Sequence, residues 1–140
     1  MEKSVRNACR KIFFKGMSES KKTVIIGATP NTSRYAYMAA ERLTGAKVEF
    51  VPVGIKKGEV FGKEILPLRE RPPIEEVHTV TLYVGPQNQP EWYDYILSLN
   101  PKRIVFNPGT ENEELIQLAK NKGIEIVEGC TLVMLGVGTY

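Results

Sequence analysis

The sequence predicts an α/β protein, a single Rossmann-like, doubly wound and mostly parallel sheet of five to six strands with helices on both faces. Three observations carry that expectation. Short runs rich in β-branched and apolar residues recur at 22–27, 48–53, 79–84, 103–106 and 124–127. Strands covered on both sides, as in parallel sheets, read this way. Segments of helical periodicity separate these runs, so strand and helix alternate and right-handed crossovers follow. The 140 residues are 42% apolar and 25% charged, the size and balance of one globular domain spanning 1–140.

The first element is an amphipathic helix over residues 1–16. Val5, Ala8, Cys9, Ile12 and Phe13 share one face, Lys3, Arg6, Arg10 and Lys11 the other, and Gly16 ends it. The basic face reads as the solvated side of a docked helix. The first strand follows, stopped by Gly27. After the turn 28–33 a helix runs through Met38, Ala39 and Leu43 to Gly45, placed at the C′ position. The second strand leads into a loop with Lys56, Lys57 and Gly58. Prolines and charges between Val60 and Val77 leave room for a short edge strand and an irregular connection.

The third buried strand closes at Gly85-Pro86. A helix then starts near Pro90 with Trp92, Ile96 and Leu99 on one face. A fourth strand ends at Asn107-Pro108-Gly109. Thr110 and Glu113 form a T-x-x-E capping box for a helix that buries Leu115, Ile116 and Ala119 and stops at Gly123. After the last strand, the apolar tail 131–140 is expected to pack on the body or on a partner subunit.

Composition narrows the function. A net charge of +3 suits a small anionic ligand better than a nucleic acid. One histidine, His78, and two separated cysteines, Cys9 and Cys130, cannot assemble a metal site with familiar spacing. No apolar run reaches the roughly 18 residues of a membrane span, and the N-terminus has no signal-peptide pattern, so the cytoplasm is expected. Cys130, with Glu128 beside it, reads as an inert thiol. Tyr93 and Tyr95 read as packing residues.

The chemistry is expected at the first strand-to-helix turn, Gly27-Ala28-Thr29-Pro30-Asn31-Thr32-Ser33-Arg34. In doubly wound sheets ligands bind beyond the carboxyl ends of the strands, where the strand order reverses. Gly27 permits a sharp turn and a close phosphate. The N–H groups of Ala28, Thr29 and Asn31 are candidate donors, while Pro30 stiffens the turn. The helix dipole favours an anion, Thr32 or Ser33 can cap the helix, and Arg34 in its first turn can add a charged contact. A dinucleotide fingerprint would need glycines where Thr29 and Thr32 stand. The second strand ends in Gly54-Ile55-Lys56-Lys57, with lysines where an NAD domain has an acid. A further phosphate fits better than NAD.

These residues resemble the small stand-alone CoA-binding proteins, related to the nucleotide-binding domain of succinyl-CoA synthetase. The likeness runs from Lys22 to Thr131. It rests on G-A-T-P-N at 27–31, Arg34, P-V followed by lysines and Gly62, the turn Asn107 to Asn112, and Gly129-Cys130-Thr131. It implies coenzyme A or an acyl-CoA as ligand, held by a non-catalytic module. By position, Gly27, Ala28, Thr29 and Arg34 would serve the phosphates, and Lys56 and Lys57 the adenosine end. Pro30, Asn31, Gly85, Asn107 and Gly109 complete the candidate contacts. The rivals are an NADP-dependent oxidoreductase, which lacks the glycine fingerprint and a substrate domain, and a nucleic-acid-binding protein using the basic N-terminal helix. No metal, membrane or nucleic-acid partner is expected, and a homodimer or protein partner stays open.

Overall fold

Residues 21–140 are described by the computed structural model; the helix expected over 1–16 lies outside them. β1 (Thr23–Ile26) is followed by α1 (Tyr35–Gly45) and β2 (Phe50–Gly54). β3 (Glu59–Val60) and β4 (Lys63–Glu64) form a small antiparallel hairpin before the edge strand β5 (Leu66–Pro67). β6 (Thr79–Leu82), two 3-10 turns, α2 (Tyr93–Ser98), β7 (Arg103–Phe106), α3 (Glu113–Asn121), β8 (Glu125–Glu128) and α4 (Thr131–Val137) complete the chain.

Six strands make one parallel sheet in the order β5-β2-β1-β6-β7-β8. β1, β6 and β7 are buried at every position, Thr79, Thr81 and Arg103 included, as strands of a sheet covered on both faces are. Successive side chains of β1 go to opposite sides. Ile25 joins Ala36, Ala40, Leu43 and Phe50 under α1, while Val24 and Ile26 join Val80, Trp92, Ile96 and Leu115 under α2 and α3. The chain winds outward from β1 to β5, then returns to place β6 on the other flank of β1. The reversal therefore falls between β1 and β6, and a crevice opens beyond their carboxyl ends.

Two local expectations change, and the tail packs on the body as expected. Thr110 does not cap α3: its hydroxyl donates back to the Asn107 carbonyl at 2.8 Å, and Asn112 is the cap, accepting from the N–H groups of Glu114 and Leu115. The left-handed residue after α1 is Lys47, at φ 60°, and not Gly45. The tail folds as α4, then turns at Gly138 to bury Tyr140.

Tyr140 is held at the amino-terminal edge of the sheet. The Thr23 hydroxyl donates to the Lys21 carbonyl, so the Tyr140 hydroxyl donates to Thr23 Oγ1, 2.6 Å away. The Arg103 guanidinium lies 4.3 Å from the Tyr140 ring centroid, and its Nε donates to Thr79 Oγ1. Burial and the nearby Arg103 charge hold the His78 imidazole below its usual pKa.

Candidate functional site

Three glycines let the loops at the switch point close onto one another. Gly27 sits at φ +101°, and a Cβ there would come within 2.9 Å of the Tyr83 carbonyl oxygen. Only glycine accepts both the backbone angle and that approach. A Cβ on Gly54 would overlap the Ala28 carbonyl, so the end of β2 backs directly onto the first turn. Gly58, at φ +139°, faces Pro30 with 3.0 Å between an added Cβ and Pro30 Cγ. The loop carrying Lys56 is thereby laid over the turn carrying Arg34.

The donors of that turn are only partly those expected. Ala28 N–H is bonded to the Val53 carbonyl at 3.0 Å, and Asn31 N–H to Thr29 Oγ1 at 3.1 Å. Neither is free, because the turn is tightened against β2 and braced by its own side chains. Asn31 Oδ1 accepts from the N–H and hydroxyl of Ser33. Neither Thr32 nor Ser33 caps α1. Arg34 occupies the N-cap position, one step before the first helical turn, and makes no side-chain cap bond. The N–H groups of Thr29, Tyr35 and Ala36 have no hydrogen-bond partner among the described residues. They border the crevice at the positive end of α1.

The crevice has a volume of about 740 Å³. Gly27, Ala28, Thr29, Asn31, Arg34, Lys56, Gly85 and Gly109 all line it, so eight of the expected contacts come together. Arg69, from the 3-10 turn after β5, adds a third cation to Arg34 and Lys56. Tyr35 and Ile55, large apolar side chains 69% and 58% exposed, also line it. Glu91, Trp92 and Thr110 lie along the wall nearer β6 and β7.

Three expected contacts do not line the crevice. Pro30 packs on Gly58, and Lys57 is exposed to solvent elsewhere. Asn107 is 2% exposed, and its amide is consumed inside the protein. Its Nδ2 donates to Thr81 Oγ1 at 2.6 Å and to the Leu82 carbonyl at 2.8 Å, and its Oδ1 accepts from the Thr131 N–H at 2.9 Å. It staples β6, β7 and α4 rather than facing a ligand.

Gln89 is a second such staple that sequence reasoning missed. Fully buried, it donates to the carbonyls of Val84 and Thr110 and accepts from Asn112, fixing the two loops that form the far wall. Burial pushes the Tyr83 phenol up to about 12, and its oxygen has no partner among the described residues. Cys130 is half-buried ahead of α4 and does not border the crevice. Among the described residues no group of three metal-ligating side chains comes together, and no helix is long and apolar enough to cross a membrane.

A family model described as a CoA binding domain matches residues 21–136. Among solved structures, the crystal structure of an uncharacterized protein is 65% identical, covering 86% of this chain and 98% of its own, with a TM-score of 0.83. A hypothetical protein from Pyrococcus horikoshii is 26% identical, covering 89% of this chain and 84% of its own, with a TM-score of 0.72. A protein from Thermus thermophilus is 21% identical over 89% of this chain and 93% of its own, with a TM-score of 0.74, a likeness of fold alone. A search of curated proteins found no match.

Proposed function

As the chain belongs to the CoA binding domain family, we propose that it holds coenzyme A or an acyl-CoA in the crevice between β1 and β6, as a binding module without catalysis of its own. One observation carries this reading. Unengaged N–H groups at the head of α1 share a single crevice with Arg34, Lys56 and Arg69, cations drawn from three separate segments. Coenzyme A carries a diphosphate and a separate phosphate on its ribose. A cluster of donors plus cations on two loops matches charge placed at two points.

On this reading the diphosphate is held by the turn 27–29, the head of α1 and Arg34. Lys56 and Arg69 serve the ribose phosphate, and Tyr35 and Ile55 offer apolar surface to the base. The pantetheine arm extends past Gly85 towards Gly109 and Thr110. Among the described residues the lining includes a single carboxylate, Glu91, and neither histidine nor cysteine. A general acid–base or nucleophilic pair would need more than that.

Thermal denaturation with added ligand tests the proposal. Coenzyme A is expected to raise the melting temperature by mass action on the folded state. The analogue lacking the ribose phosphate is expected to bind roughly 5- to 150-fold more weakly, the loss of a charge-assisted contact of about 1–3 kcal/mol. Stabilisation by NADP above that by coenzyme A would favour the oxidoreductase, and stabilisation by neither would end the reading.

A further inference from the structure

Arg71 holds a backbone that arginine rarely adopts. It ends the 3-10 turn Leu68–Glu70 at φ 48° and ψ 60°, in the left-handed region, and its N–H donates to the Leu68 carbonyl at 2.9 Å. That conformation is unfavourable for a residue with a long side chain. The side chain's contacts offset it. The guanidinium lies 4.9 Å from the Trp92 ring centroid, and Nη2 donates to the Glu91 carbonyl at 3.2 Å. A planar, forked cation suits stacking and donating at once.

These contacts join two segments that the sheet leaves apart. β5 pairs with β2 through Leu66 and Pro67 alone, and the chain then leaves the sheet. Before Arg71, Leu68 is buried in the core cluster that holds Trp92 and Tyr95. After it, the Pro72 carbonyl accepts from the Tyr95 hydroxyl at 2.6 Å. Between these anchors Arg69 lines the crevice, as Glu91 and Trp92 do from the facing segment. Arg71 itself does not border it.

We propose that Arg71 is a positioning residue: its grip on Glu91 and Trp92 fixes the turn that presents Arg69 to the ligand. The clamp stands on the contacts above, and the ligand it serves rests on the coenzyme A reading. The test uses Arg71→Asn, because asparagine accepts the left-handed backbone while lacking the guanidinium. Coenzyme A affinity is expected to fall about 3- to 10-fold, the contribution of two exposed contacts. Affinity for the analogue lacking the ribose phosphate is expected to fall less than about twofold, as is coenzyme A affinity when the change is made in Arg69→Ala. Equal losses for the two ligands, no loss at all, or an undiminished effect without Arg69 would each overturn the proposal. A measurement without ligand separates the clamp from the coenzyme A reading. Trp92 is the chain's one tryptophan, and acrylamide quenching of its fluorescence is expected to rise in Arg71→Asn. Unchanged quenching would refute the clamp. Raised quenching in a protein that binds no coenzyme A would support the clamp and overturn only the ligand reading.

Discussion

Replacing Asn107 by alanine separates its structural role from the ligand role that its place in the sequence suggests. The change removes three buried hydrogen bonds, to Thr81 Oγ1, the Leu82 carbonyl and the Thr131 N–H. A typical buried bond contributes about 1 kcal/mol net, and a group left without a partner costs about 1–3 kcal/mol. The Thr131 N–H and the Thr81 hydroxyl lose a partner inside the protein, so a loss near 3 kcal/mol is expected. In a protein of this size that lowers the melting temperature by roughly 10 °C. Urea denaturation measures the free energy, and hydrogen exchange at the start of α4 reports the loss of its tether. Coenzyme A affinity, measured by calorimetry well below the transition, is expected to change less than threefold because Asn107 does not line the crevice. A variant of near-native stability whose affinity falls tenfold or more would refute this assignment.

Four further outcomes are expected. Arg34→Ala and Lys56→Ala each weaken coenzyme A binding by about 1–2 kcal/mol, roughly 5- to 30-fold, whereas Lys57→Ala leaves it unchanged in the same titration. Gly27→Ala costs about 2 kcal/mol or more in urea denaturation, since the new Cβ meets the Tyr83 carbonyl at 2.9 Å in a left-handed backbone. Tyr140→Phe removes the bond to Thr23 but keeps the ring under Arg103, so it costs only about 1 kcal/mol. The His78 imidazole is held below 6.5 in the fold, so the neutral form is the stabilised one. Stability is then complete above the unfolded value and declines as pH falls through 6.5. His78→Gln is expected to flatten that decline in melting curves between pH 8 and pH 5.

The sheet was legible because its central strands have nothing to hide. Thr23–Ile26, Thr79–Leu82 and Arg103–Phe106 are buried on both faces, and such strands announce themselves as short runs rich in β-branched and apolar residues. α4 gave no such signal. Leu132 to Val137 is uniformly apolar, so no period stands out, and Gly136 and Gly138 argue for a loop.

The crevice was legible as a place more than as a set of contacts. The coincidence of strand end, Gly27 and helix start located it. Which N–H groups stay open depends on Val53, a strand away, taking the Ala28 donor. Asn107 lay in a recognisable turn, yet its side chain is decided by partners 24 to 26 residues distant. Arg69 follows a proline-interrupted stretch whose path only the edge pairing of β5 with β2 defines.

The stacking of Gly54 on Ala28 and of Gly58 on Pro30 joins two loops into one rigid jaw. Their backbones approach too closely for either to move inward alone, so the two segments that carry Arg34 and Lys56 are placed together by main-chain packing. A molecule entering this jaw freezes few motions of the protein, and more of its contact energy survives as affinity. On the coenzyme A reading, a ligand whose charged ends are spaced to match the two segments is expected to be preferred over shorter or longer ones.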